Sequence, residues 1–237
     1  MSALQNNLNA IKERIHQAAI ACGRSAQDIK LLAVSKTFPA EDVRDAHSLG
    51  QTCFGENYVQ EGVAKVLELK DLRSSLEWHF IGPIQSNKSK DVAENFDWVH
   101  SIDRIKIAQR LNDQRPSHLP PLEVCVQVNI SGEASKSGIG PDELLDICQK
   151  ISAMPHLHLR GLMSIPEPTD DVQSQRKSHQ QLRELLSQLQ KSTALDHQKI
   201  QLDTLSMGMS SDIEAAIAEG STMVRVGTAI FGKRTYL

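Results

Sequence analysis

Three stretches of this chain carry residue types that could do chemistry together. Leu31 to Val34 is an apolar run, the pattern of a strand covered by helices on both faces. It leads to Lys36, after which Thr37, Phe38 and Pro39 stop it. An ammonium at the C-terminal tip of a buried strand either snorkels to water or is placed for chemistry. Far along the chain, Met207-Gly208-Met209-Ser210-Ser211-Asp212 passes from strand to helix through small residues. Such a turn offers backbone N–H groups, hydroxyls and a helix dipole to an anion. Shortly after it, Val224-Arg225-Val226-Gly227-Thr228-Ala229 lets backbone amides approach a ligand closely at Gly227. Each stretch alone has a plain structural explanation: a solvated strand end, a helix cap, a packing glycine. Taken together they place a lysine beside a phosphate cradle, the parts needed for a Schiff base with a phosphorylated aldehyde. Two readings of that chemistry stand open: pyridoxal phosphate held by Lys36, or a class I aldolase acting on a sugar phosphate.

These stretches can meet only if the elements between them bring the two ends of the chain together. Leu4, Leu8, Ile11, Ile15 and Ala19 recur at helical spacing and predict an amphipathic helix that ends near Gly23. From residue 29 the pattern alternates. Strands are expected at 29–36, 52–57, 77–82, 98–102, 122–130, 157–165, 201–209 and 223–231. Helices are expected around 40–49, 58–72, 86–94, from Asp103, from Pro141, over 170–192 and from Ser211, where Ser211 and Glu214 have the form of a capping box. Eight strands alternating with helices predict an α/β protein, a single (β/α)8 TIM-type barrel with an extra N-terminal helix, spanning 1–237 as one domain. In such a barrel the active groups gather at the C-terminal ends of the strands. That rule selects Lys36, Asn57, His79 with Gly82, Asn129, Met163 with Ser164, Ser210 with Ser211, and Gly227 with Thr228. It also makes strands one and eight neighbours, and puts the loops after strands seven and eight where barrel enzymes bind phosphate.

Composition narrows the classes. Of the 237 residues, 40% are hydrophobic and 23% charged, the balance of an ordinary globular protein. A net charge of −3 gives no electrostatic argument for nucleic acid or a membrane surface. No apolar run approaches a transmembrane helix, and the N-terminus lacks a signal-peptide core, so a cytoplasmic protein is expected. Cys22, Cys53, Cys125 and Cys148 show no metal-site spacing and are expected to be buried, reduced side chains.

Read for family, the sequence is more specific. The segments Ala33-Val34-Ser35-Lys36, Phe54-Gly55-Glu56-Asn57, Trp78-His79-Phe80-Ile81-Gly82 with Gln85-Ser86-Asn87-Lys88, and Val128-Asn129 come first. Lys136-Ser137-Gly138, Gly161-Leu162-Met163, Ser206 to Asp212 and Arg225 to Gly232 follow in order. They resemble the pyridoxal phosphate homeostasis protein family, which looks like the barrel domain of alanine racemases standing alone. The resemblance implies that Lys36 forms the Schiff base with pyridoxal 5′-phosphate. It implies that Ser210 or Ser211, Gly227 and Thr228 hold the phosphate, that Arg225 faces the pyridine nitrogen, and that Asn57, His79 and Met163 line the ring. It further implies buffering or delivery of the cofactor, with cofactor-requiring apoenzymes as partners, and no catalytic turnover; a monomer is expected.

The residues also admit plainer roles. His79 alternates with Trp78 and Phe80 as a hydrogen-bonded core histidine would, Asn57 could cap a helix, and Met163 could fill core. Lys88, Lys90 and Lys136 read as solvated charges. The alternative function is a pyridoxal-phosphate-dependent amino-acid racemase. Two-base racemisation needs acid and base on opposite faces of the substrate carbon. The chain has two tyrosines, Tyr58 and Tyr236, and the barrel is expected to end near Phe231, so only Lys36 is an evident base.

Overall fold

The computed structural model describes residues 2–132, 137–196 and 200–232. Eight parallel strands close into a barrel in sequence order: β1 (Lys30–Val34), β2 (Cys53–Glu56), β3 (Glu77–Phe80), β4 (Trp98–Ile102), β5 (Leu122–Gln127), β6 (Leu157–Met163), β7 (Thr204–Ser206) and β8 (Met223–Val226). Closure is made by β1 against β8, with Leu32 opposite Arg225 and Ala33 opposite Val226. This is the expected (β/α)8 architecture. It brings the lysine stretch and the glycine stretch onto adjacent strands.

The helices between the strands are α2 (Ala40–Ser48), α3 (Val59–Glu68), α4 (Ser89–Asn95), α5 (Ile105–Gln114), α6 (Leu144–Ser152), α7 (Val172–Lys191) and α8 (Ile213–Ala218). Each has an apolar stripe that packs on the outer face of the sheet, as in α6, where Leu144, Ile147, Cys148 and Ile151 are buried. The extra helix α1 (Ala3–Ala21) starts at Ser2, whose hydroxyl accepts from the Gln5 amide, and buries Leu8, Ile11, Ile15 and Ala19. It packs against α8. Arg14 pins it there, donating to both carboxylate oxygens of Glu214 (2.6 and 2.7 Å) and to the Ser210 carbonyl (3.0 Å).

Two expectations fail at the end of the chain, and both failures matter for the site. The eighth strand stops at Val226; at Gly227 the chain turns into a short helix, α9 (Thr228–Phe231). The Ser211/Glu214 capping box does not form. Asp212 is the residue before α8, its Oδ1 accepts the Met209 amide (2.6 Å), and Glu214 is committed to Arg14. The seventh strand is also shorter than expected, covering Thr204–Ser206; beyond it the Gly208 carbonyl still accepts from the Arg225 amide (3.0 Å), with Gly208 at φ +95°. The four cysteines are free, but Cys22, at the end of α1, is exposed, unlike the other three. Lys136 and Tyr236 lie outside the described residues.

Candidate functional site

At the C-terminal mouth of the barrel a cavity of about 300 Å³ is lined by Lys36, Asn57, Ser210, Ser211, Arg225, Gly227 and Thr228, with Val34, Phe38, Ile81, Met209 and Ile165 as apolar walls. Seven of the nine residues that the family resemblance assigns to the cofactor therefore line one cavity. His79 and Met163 do not. His79 is fully buried inside the barrel, its ring stacked on Trp98 (centroids 5.3 Å apart) and its nitrogens bonded to Glu77 and His100. Met163 is buried with Trp98 and Cys125 in a small apolar cluster. His79 comes one residue before the end of β3, and Met163, although the last residue of β6, packs onto Trp98 and Cys125 in the interior.

The lysine is held in place by a clamp that sequence reading did not anticipate. Ser35 is buried; its hydroxyl donates to Glu56 Oε1 (2.6 Å), and its carbonyl accepts from Lys65 Nζ (2.7 Å). Lys65 also bonds Glu56 Oε1 (2.8 Å) and Glu61 Oε1 (2.6 Å). Glu61 in turn accepts the amide of Thr37, which has φ +69°. A β-branched residue in the left-handed region is strained by roughly 1–3 kcal/mol and persists only when its surroundings hold it. Lys36 thus sits between two backbone groups fixed by α3. The signal was present as Glu61 and Lys65 at i, i+4, but that pattern reads as a surface pair. Their convergence beneath the lysine loop depends on the fold.

Asn57 does not cap α3, and its Oδ1 is buried with no hydrogen-bond partner among the described residues. An orphaned acceptor on a cavity wall is costly unless a ligand donates to it. Opposite, Arg225 donates to Ser206 Oγ (2.7 Å) and to the Ser164 carbonyl (2.8 Å). These bonds leave further guanidinium N–H groups for the cavity. Burial pushes the guanidinium pKa down to about 10, with the Asp212 charge the largest opposing influence, so Arg225 stays charged at neutral pH. Asp212 itself is an ionised partner. Burial raises its carboxyl, but bonds from His179 and the Met209 amide hold it below the usual range.

The remaining wall suits an anion. Ser210 and Ser211 lie in the turn before α8, and Gly227 and Thr228 open α9. A Cβ at Gly227 would stand 3.2 Å from the Val34 carbonyl, so a side chain there would press on β1 beside the lysine. The hydroxyls and the first-turn amides can all donate to the same space, and Arg225 adds positive charge. The residues present fit a phosphorylated aromatic aldehyde: an amine for the aldehyde, flat apolar walls for a ring, and donors for the phosphate.

The family model for the alanine racemase N-terminal domain matches residues 1–235. The chain shares 55% identity over 236 residues with the pyridoxal phosphate homeostasis protein of Pseudomonas aeruginosa, covering 100% of this chain and 98% of that protein. With the protein of that name from Escherichia coli it shares 53% over 237 residues, covering 100% and 99%. The solved structure of PipY from Synechococcus elongatus with pyridoxal phosphate bound superposes with a TM-score of 0.83 at 34% identity, covering 97% of this chain and 100% of that one. Alanine racemase from Corynebacterium glutamicum shares the fold at 18% identity (TM-score 0.68), with 95% of this chain covering 62% of the enzyme. Fold and site thus define a barrel of the alanine racemase N-terminal type. Within that class, the chain belongs to the pyridoxal phosphate homeostasis protein family.

Proposed function

We propose that this protein binds pyridoxal 5′-phosphate at the C-terminal mouth of the barrel, through Lys36, and serves cofactor homeostasis as a carrier without catalytic turnover. The observation that carries the reading is the convergence of Lys36, Arg225 and the Ser210–Ser211 and Gly227–Thr228 turns on one cavity. The relatives' name and the pyridoxal phosphate bound in PipY support it. The cofactor supplies an aldehyde that condenses with a primary amine and a ring that withdraws electrons.

The chain's own residues do the rest. Lys36 Nζ is the attachment point, Ser210 or Ser211 with the Gly227 and Thr228 amides holds the phosphate, and Asn57 offers its unpaired oxygen to a ligand donor. Arg225 has only donors to give, so a ring nitrogen facing it keeps its lone pair unprotonated. That weakens the ring as an electron sink relative to one facing a carboxylate.

The racemase alternative needs a second base. Among the described residues lining the cavity, Lys36 and Arg225 are the titratable ones, and Tyr58 is exposed outside it. No described helix is long and apolar enough to cross a membrane. The carrier is proposed to act as a cytoplasmic monomer that hands cofactor to apoenzymes. The test is to saturate purified protein with the cofactor and assay racemisation, transamination and decarboxylation of common amino acids. Rates at the free-cofactor background are expected; turnover lost in Lys36→Ala would restore the enzyme.

A further inference from the structure

We propose that Glu77, at the opposite mouth of the barrel, anchors a polarised hydrogen-bond relay through His79, His100 and Ser206 that orients Arg225 in the cavity. The relay rests on the reading of that cavity as the pyridoxal phosphate site, but its own geometry is independent of any ligand. Glu77 opens β3 and lines a cleft of about 540 Å³ at the N-terminal mouth, beside Lys30 and Trp98. Its Oε1 accepts from Lys30 Nζ at 2.7 Å and lies 2.7 Å from His79 Nε2. His79 Nδ1 is 2.9 Å from His100 Nε2, and His100 Nδ1 is 2.7 Å from Ser206 Oγ. Ser206 Oγ then accepts from Arg225, which lines the cavity at the other end. A contiguous chain of side chains therefore runs through the barrel from one mouth to the other. His79, His100 and Ser206 are completely buried.

Counting donors gives this chain a direction. Although burial raises the Glu77 carboxyl, bonds from His79 and Lys30 hold it well below the ordinary range, so it is an acceptor only. Burial lowers both histidines and keeps the rings neutral. A neutral ring 2.7 Å from a carboxylate must carry its proton on the facing nitrogen, so His79 donates from Nε2. Its Nδ1 is then an acceptor, and His100 must donate to it from Nε2. His100 Nδ1 is left as an acceptor, which only the Ser206 hydroxyl can satisfy. With its proton turned toward His100, Ser206 presents lone pairs to Arg225. Each bond thus depends on the one before, and the carboxylate at the far mouth sets the acceptor that Arg225 meets.

The same corner contains Cys53, Glu77 and His79 with ligand atoms within 4.8 Å of one another. A metal there would have to displace Lys30 from the carboxylate and the proton from His79 Nε2. The ammonium already fills that role.

The test begins with the wild-type protein without cofactor. Long-range ¹⁵N–¹H correlation spectra of uniformly labelled protein at pH 7 are expected to show both His79 and His100 protonated on Nε2 and bare on Nδ1. A proton on Nδ1 of either ring overturns the relay. Ser206→Ala and Glu77→Gln are then titrated with pyridoxal 5′-phosphate. Both are expected to bind about tenfold more weakly, with a displaced absorption maximum, since network mutations of this kind cost up to roughly tenfold or somewhat more. A role in packing alone would lower the melting temperature and leave the tautomers and the absorption maximum unmoved. Should Glu77→Gln melt early, Ser206→Ala, which removes one hydroxyl, decides the matter. Wild-type affinity and wild-type absorption in Ser206→Ala overturn the proposal. If the wild-type protein takes up no cofactor, the functional reading fails, while the tautomers still decide the relay.

Discussion

Lys65→Met removes the cation that gathers Ser35, Glu56 and Glu61 beneath the lysine loop. The Lys65 side chain is 6% exposed and that of Glu56 is 0% exposed, so the substitution strands a carboxylate with no water to solvate it. Breaking a buried pair on one side costs about 3–5 kcal/mol. The orphaned Ser35 carbonyl lies within that range of effects rather than adding freely to it. With a urea m-value of about 2–3 kcal/mol/M for a chain of this size, the unfolding midpoint should fall by roughly 1–2 M. The deficit should also depend on pH. Burial is the largest influence on Glu56 and raises its carboxyl, while Lys65 pulls it down; without Lys65 it rises further. A carboxyl raised in the folded state binds its proton more tightly there than in the unfolded chain. Its contribution is then fully present below the unfolded value of about 4.3 and is lost as pH climbs to the folded value. The deficit of Lys65→Met should therefore shrink between pH 7 and pH 5. Adding Glu56→Gln removes the stranded charge and should recover at least half the loss at pH 7. A single variant within about 1 kcal/mol of wild type, or a double variant no more stable than the single, would refute the clamp.

Three further outcomes are expected. Lys36→Ala should abolish the visible absorption of bound cofactor and leave the far-ultraviolet circular dichroism unchanged; a surviving protein-bound band would assign attachment to another lysine. Unphosphorylated pyridoxal should bind at least about 100-fold more weakly than the phosphate ester, because about two charge-assisted bonds of roughly 1.5–3 kcal/mol each are lost; equal dissociation constants by fluorescence titration would remove the cradle at Ser210–Ser211 and Gly227–Thr228. Gly82→Ala would set a Cβ 2.1 Å from the Asn57 carbonyl oxygen, so a loss of about 1–3 kcal/mol on denaturation, with weaker cofactor binding, is expected from forcing Asn57 aside.

The architecture was legible because periodicity is a local property. Alternating apolar runs and helical stripes mark eight βα units whatever their partners, and the strand-end rule picks Lys36, Asn57, Ser210, Ser211, Gly227 and Thr228 without any contact being known, while Arg225 entered through the family resemblance. Boundaries were less secure where glycine intervenes. The run Met223 to Phe231 is apolar enough for a strand, yet the chain turns at Gly227 and puts the Thr228 amide at a helix start. Depth was legible only as an alternative left open. His79 and Met163 carry the residue types of a binding site, but the closed barrel lowers them into its interior, where His79 serves Glu77 and His100. The same closure makes neighbours of residues 106 positions apart, His100 and Ser206, and turns an i, i+4 pair on α3 into the support of Lys36. Residue type and spacing determined what chemistry the chain carries. Which side chains reach the cavity, and which hold them from below, was decided by strand register around the closed sheet, because burial and partner choice belong to the whole barrel and to no segment of it.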